Sequence, residues 1–383
     1  MTAGKKFIRK PGTGAKVFVA FIILMVVLFL MEGVLSVVLY QKNGPYKLAT
    51  VEIIRTTKAL FTRHEFPVNV EPHILARPDS SREVNGKIAD EAMKSNRFVQ
   101  DSWVEFRNMD FNGAYMHMKG AIRKTQPEAF YNPSSRDTIT IYFFGGSTMF
   151  GFNVLDHETI PSQFVQQYKQ KFPNGKSIRV YNYGTPTYYS FQELILFSNL
   201  IFEGHKPDII VFLDGINDFW FATAAYYRQS YFSYVFRQVF DKGLKSNGNF
   251  QLVDTAEAMF ADPKNIPATQ YNDKLVLNYF ENLNNIRMMA KMVSAKPYFF
   301  CQPSPFYNYP NQQKDPICFK DTNTRFNNIY PMVKKQTNNN DFFFLGDLLH
   351  DEKGYPFIDG LHYSPAFIKK VAAMMLDKMN FEE

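Results

Sequence analysis

The stretch Thr138-Ile139-Thr140-Ile141-Tyr142-Phe143-Phe144-Gly145-Gly146-Ser147-Thr148-Met149-Phe150-Gly151 joins an apolar run to a glycine turn and a serine. Residues 138–144 make an apolar run of strand length. Apolar side chains at consecutive positions mark a strand buried on both faces, as in a covered parallel sheet. Gly145 and Gly146 then let the backbone turn sharply, so that Ser147 is presented where the strand ends. A Gly-Gly-Ser turn is common in loops and by itself says nothing about chemistry.

The same pattern repeats along the chain. Strands are predicted at 138–144, 178–183, 208–213, 297–301 and 341–345, with helices between them at 159–172, 190–203, 273–294 and 322–337. A last helix is predicted over 365–379, with Ser364 as N-cap and Pro365 at its first position. Leu194, Ile195, Phe197, Ser198 and Ile201 recur at helical spacing and read as a core stripe. Alternating strands and helices predict an α/β fold, a parallel sheet covered by helices on both sides. Reactive groups in such sheets gather at the carboxyl ends of the strands.

The polar motifs fall at those ends. The second strand runs into Asn182-Tyr183-Gly184, where a glycine can bring its N–H close to an oxyanion. The third runs into Leu213-Asp214-Gly215-Ile216-Asn217-Asp218, where a side-chain amide can donate to the same oxyanion. Before the last helix comes Asp359-Gly360-Leu361-His362, a short loop in which a carboxylate can orient an imidazole. Taken singly these are a turn glycine, a helix cap and a loop histidine; the information lies in their joint placement. Asp347-Leu348-Leu349-His350 has the same Asp-x-x-His spacing but follows the last strand directly, and the pair before the capped helix is preferred. His157 reads as a helix-start residue, not a general base.

With these motifs in this order, residues 138 to about 380 resemble the SGNH (GDSL-like) hydrolases. The residues that give that family its name match Ser147, Gly184, Asn217 and His362, and Asp359 completes the triad. The resemblance implies a flavodoxin-like three-layer α/β/α sandwich and hydrolysis of esters and thioesters, with no cofactor. It implies Ser147 as nucleophile, His362 as base and Asp359 as its orienter. The N–H groups of Ser147 and Gly184 and the Asn217 side chain would hold the oxyanion. The chain departs from the family's Gly-Asp-Ser, because Gly146 stands where the aspartate is usual. No His-x-x-x-His or cysteine pair stands at ligand spacing, so no metal is expected.

The net charge of +7 is largely local. Lys5, Lys6, Arg9, Lys10 and Lys16 precede the first apolar run, and beyond position 40 the chain carries 38 basic and 35 acidic residues. Such a balance gives no electrostatic reason to expect a nucleic-acid partner. Residues 17–40 contain one charge, Glu32. As a helix they span about 36 Å, enough to cross a hydrocarbon core of about 30 Å. The run exceeds a signal peptide's apolar region and offers no Ala-x-Ala-like site, so an uncleaved anchor is expected. Its basic flank places residues 1–16 in the cytoplasm and the rest outside. No Asn-x-Ser/Thr acceptor occurs, which tilts the expectation towards a bacterial periplasm or cell surface.

The expected organisation is therefore a basic tail (1–16), an anchor in the lipid bilayer (17–40), an N-terminal extension packed on or separate from the rest (41–135) and the hydrolase domain (136–383). An aromatic-rich insertion at about 219–270, including Phe219 and Trp220, could roof the site, and residues 302–310 form a second rim. Cys301 and Cys318, 17 residues apart, either pair as a disulfide or stand as buried thiols. Three functional readings remain open. One is a membrane-anchored serine esterase deacylating, above all deacetylating, an envelope glycan. The second is an O-acetyltransferase working with a membrane protein partner, and the third a non-catalytic tethered assembly or binding protein. Asp-x-x-His in place of a shorter Asp-x-His favours hydrolysis.

Overall fold

The computed structural model describes residues 75–221, 267–319 and 324–381, apart from positions 76, 79, 102, 136 and 339. The expected anchor at 17–40 and most of the aromatic-rich insertion lie outside the described residues. Among the described residues no helix is long and apolar enough to cross a membrane.

In chain order the structure begins with helix α1 (Arg82–Ser95) and the strands β1 (Phe98–Asp101), β2 (Glu105–Asn108), β3 (Phe111–Asn112), β4 (His117–Lys119), β5 (Ile122–Arg123) and β6 (Ala129–Phe130). Next come β7 (Thr138–Gly145), the short helix α2 (Ser147–Phe150), α3 (Ile160–Lys171), β8 (Ser177–Asn182) and α4 (Ser190–Phe202). They are followed by β9 (Ile209–Asp214), α5 (Ile216–Trp220), α6 (Ala268–Met292), β10 (Lys296–Cys301), α7 (Thr324–Lys334), β11 (Phe342–Phe344) and α8 (Pro365–Lys378).

β11, β10, β9, β7 and β8 lie side by side and parallel in a nine-stranded sheet. Counted from β7, the spatial order of these five is 2-1-3-4-5, the doubly wound order that reverses direction between its first and third strands. Residues 111–130 extend the sheet past β8 with the antiparallel strands β5, β4 and β3, and β6 also pairs with β8. The segment expected as an N-terminal extension thus supplies strands to the same sheet. β1 and β2 form a separate antiparallel pair.

The central strands are apolar at successive positions because helices cover both faces. All six residues of β9 are buried. On one face Phe144, Phe212 and Phe299 meet α4, α6 and α7 through Phe197, Leu283, Ile286 and Ile329. On the other, Phe143, Val211 and Phe300 meet α3 and α8 through Phe164, Val371 and Met375. Phe144 stacks on Phe212 at 4.7 Å between centroids, worth about 0.5–1.5 kcal/mol beyond the area it buries. The helix starts are chemically marked. Thr159 accepts from Ser162 N ahead of α3, and Ser364 accepts from Phe367 N ahead of α8, with Pro365 in its first turn.

Candidate active site

The reversal of strand order lies between β7 and β9, and their carboxyl ends carry Ser147 and Asn217. Ser147 opens α2 directly after β7. Its carbonyl accepts from Gly151 N at 3.1 Å and Phe152 N at 3.0 Å, which turns the chain back after one helical turn. That return places Phe152 and Asn153 on the C-terminal motif. The Phe152 ring lies 4.8 Å from the His362 ring, and Asn153 Nδ2 donates to Asp359 Oδ2 at 2.5 Å.

Asp359 and His362 are in direct contact. Asp359 Oδ1 accepts from the N–H groups of Leu361 at 3.0 Å and His362 at 2.8 Å, so the carboxylate organises its own loop. His362 Nδ1 lies 2.7 Å from Asp359 Oδ2. Burial works against ionisation of Asp359, but attraction to His362 and the bonds from His362 and Leu361 prevail and hold its pKa down at about 2. An ionised carboxylate only accepts, so Nδ1 carries the proton and Nε2 is left as the base. The loop is closed by Ile358 N donating to His362 O, and Phe319 N donates to Gly360 O.

Two glycines of the motifs owe their identity to close approach. A Cβ on Gly146 would fall 2.4 Å from Asn217 Nδ2 and 3.0 Å from Tyr188 O. A side chain at 146 would therefore require the Asn217 amide to move. Asn217 Nδ2 donates to Tyr188 O at 2.6 Å, which fixes the amide and leaves its second N–H. A Cβ on Gly184 would fall 2.4 Å from Phe150 N, so Gly184 lets the end of β8 press against α2. Its N–H differs from expectation, because it donates to Asn182 Oδ1 at 2.9 Å and is already engaged.

The second Asp-x-x-His does not form a pair of this kind. Asp347 bonds Lys334 at 2.6 Å and Asn308 at 2.8 Å, and His350 Nδ1 lies 3.0 Å from Asn308 Oδ1. Cys301 and Cys318 are both buried and form no disulfide. The sheet separates them: Cys301 packs with the α4, α6 and α7 face and Cys318 with the α3 and α8 face, which rules out the disulfide. Among the described residues no cluster of His, Cys, Asp or Glu has the form of a metal site.

Several residues of the site carry no motif. Thr148 Oγ1 donates to Gln302 Oε1 at 2.8 Å, tying α2 to the end of β10. Behind Asn217 lies a group of buried acids. Asp218 accepts from Ser190 Oγ at 2.5 Å, and Asn282 donates to the same hydroxyl at 3.0 Å. Burial pushes Asp218 up to about 6. Glu193 and Asp214 are pushed well above the carboxylate range, first by burial and then by the negative charge of Asp214 and Asp218 respectively. Three residues past Asn217, Trp220 stacks with Phe306 at 5.1 Å and with Phe319 at 6.4 Å. The signals missed were a carboxamide six residues past the serine and an acid one turn inside α4, neither of which has a distinctive spacing.

No protein-family model and no curated protein matches the chain. Solved structures do resemble its fold. One is an acetylxylan esterase from Geobacillus stearothermophilus, 18% identical, covering 64% of this chain and 95% of its own, with a TM-score of 0.35. Another is a psychrotrophic esterase from Pseudoalteromonas sp., 14% identical, covering 63% of this chain and 93% of its own, with a TM-score of 0.31. A third, provisionally described as a lipolytic protein of the G-D-S-L family from Desulfitobacterium hafniense, is 11% identical and covers 63% of this chain and 99% of its own, with a TM-score of 0.35.

Proposed function

We propose that this chain is a membrane-anchored serine esterase acting outside the cytoplasm, removing acyl groups, acetyl above all, from an envelope glycan. The observation that carries this reading is the Asp359–His362 contact of 2.7 Å, tied through Asn153 and Phe152 to the helical turn that begins with Ser147. His362 Nε2 takes the Ser147 proton as Oγ bonds to the ester carbonyl carbon, and the carbonyl π pair moves onto oxygen. The Ser147 N–H and the second N–H of Asn217 stabilise that oxyanion. Collapse expels the alcohol, protonated by His362. Water repeats the sequence on the acyl-enzyme and releases the carboxylic acid. Gly184 contributes by close packing under α2. The exposed rings of Trp220 and Phe319 suit a sugar ring.

The test is labelling with a serine-reactive fluorophosphonate alongside p-nitrophenyl acetate turnover. Both are expected in the wild type and lost in Ser147→Ala. Asn217→Ala is expected to lower kcat by about 10²–10³ while the protein stays folded, as loss of one oxyanion donor does. A folded wild type that neither labels nor turns over overturns the reading, and acyl transfer to a glycan acceptor without release of free acid would make the chain a transferase.

A further inference from the structure

Helix α6 and the loop between α7 and β11 enclose a cleft of about 460 Å³, lined by Phe280, Asn284 and Arg287 from the helix and by Gln336, Asn340 and Asp341 from the loop. Asp341 directly precedes β11, so the cleft lies at the amino ends of the strands, whereas Ser147 and Asn217 follow the carboxyl ends. Counted along the strands and across from β11 to β7, the two places are on the order of 20 Å apart. The cleft is held in place by its own bonds. Arg287 Nε and Nη2 donate to the two oxygens of Asp341 at 2.5 and 3.1 Å, and Nη1 donates to Asn284 Oδ1 at 2.6 Å. Asn338 Oδ1 takes the N–H groups of Asn340 at 2.9 Å, Asp341 at 3.2 Å and Phe342 at 3.1 Å, which fixes the loop. Groups already fixed lose little freedom on meeting a ligand.

Three carboxamides in the lining keep bonding capacity. Among the described residues the side chains of Gln336 and Asn340 make no hydrogen bond, and Asn284 uses its oxygen but not its Nδ2. All three residues are exposed. A carboxamide offers donors and an acceptor side by side, which matches hydroxyl groups, since each hydroxyl also does both. The lining has one positive charge, Arg287, and it is paired with the one negative charge, Asp341. A neutral ligand is therefore favoured over an ion. Phe280 adds an apolar ring, held by an edge contact with Phe342 at 5.0 Å between centroids. An apolar ring among open carboxamides complements a sugar unit, which has carbon-bound hydrogens on its faces and hydroxyls around its edge. The volume falls in the range of small-ligand sites, about 300–1,000 Å³.

We propose that this cleft is a non-catalytic binding site for neutral sugar units, a second hold on a glycan whose other units reach Ser147. That the polymer is also the substrate rests on the esterase reading; the chemistry of the cleft does not. The test is binding of the full chain in detergent to an array of neutral glucan, mannan, xylan and N-acetylglucosamine oligosaccharides. The wild type is compared with the double variant Gln336→Ala/Asn340→Ala, in which two exposed side chains are shortened. At least one of these sugars is expected to bind, and the double variant should bind it about tenfold more weakly, as loss of two hydrogen bonds does. Fluorophosphonate labelling and p-nitrophenyl acetate turnover should be unchanged in that variant. Binding should also persist at high salt, because the ligand is neutral. A wild type that binds none of the sugars, a double variant that binds as the wild type does, or binding abolished by salt overturns the proposal and leaves Ser147 as nucleophile. Cleft-dependent binding in a protein that neither labels nor turns over would instead overturn the esterase reading and leave the cleft.

Discussion

Asn153 gives its carboxamide to Asp359 across 206 positions of sequence, and its own carbonyl accepts from Arg77 at 2.9 Å. It sits at φ +64, a conformation asparagine tolerates better than most residues. A hydrogen bond to a charged group is worth about 1.5–3 kcal/mol. Asn153→Ala is therefore expected to lower kcat by roughly 10–100-fold with KM little changed, because the imidazole loses its fixed orientation. Steady-state kinetics on p-nitrophenyl acetate checks this, and an unchanged kcat would reduce Asn153 to a packing role. Asp359 also makes a pH prediction. Its folded pKa of about 2 lies below the ordinary 3.8, so the ionised form is favoured by folding. The resulting stability, on the order of 2 kcal/mol, is present above about 3.8 and is lost as pH falls through about 2. Acid titration of thermal unfolding should show that loss reduced in Asp359→Asn. The Asp-x-x-His pair was legible because both partners lie in one loop. Asn153 was not, since it is defined by a contact 206 residues away.

At the scale of elements, α4, β9 and α5 bury Glu193, Asp214 and Asp218 together, and the sign of their effect is opposite to that of Asp359. A carboxyl whose folded pKa is raised favours folding while it is neutral. For Asp218 that contribution is full below about 3.8 and is lost as pH rises through about 6, and Glu193 and Asp214 extend the loss to higher pH. Unfolding free energy should thus decline from mildly acidic to mildly alkaline pH. Asp214→Asn should flatten the decline and stabilise the protein at pH ~8 by on the order of 1–3 kcal/mol. Denaturant melts across pH decide it, and a destabilised Asp214→Asn protein would show that the carboxylate is needed. Helix α8 offers a simpler case: Ser364→Ala removes the bond to Phe367 N and should cost about 0.5–2 kcal/mol. The strands at the centre were legible, with β7 found at Thr138–Gly145 against 138–144 expected, because burial on both faces forces a continuous apolar run. Strands such as β3, β5 and β6, two residues each, have no period to detect and exist only through their neighbours in the sheet.

For the whole molecule, the 2-1-3-4-5 order explains why segments 206 residues apart, at Asn153 and Asp359, meet: both follow the carboxyl ends of strands in one sheet, on the side where the order reverses. The parallel central sheet was legible in the alternation of strands and helices. The attachment of residues 111–130 to the far side of β8 was not, because antiparallel pairing of short segments is set by the sheet edge they cover. With residues 17–40 as an anchor, the protein should sediment with membranes and resist extraction by alkaline carbonate, whereas a chain beginning at residue 41 should not. Fractionation followed by immunoblotting checks it, and equal solubility of both would remove the anchor.

The two cysteines, one on each face of the sheet, have a practical consequence. Each is shielded by a different helical layer, α4, α6 and α7 over Cys301 and α3 and α8 over Cys318. Brief pulses of an alkylating reagent during unfolding, read by peptide mass, would time the opening of each layer separately. Equal rates would mean that the sandwich comes apart as one cooperative unit, and unequal rates would identify the layer that lifts first.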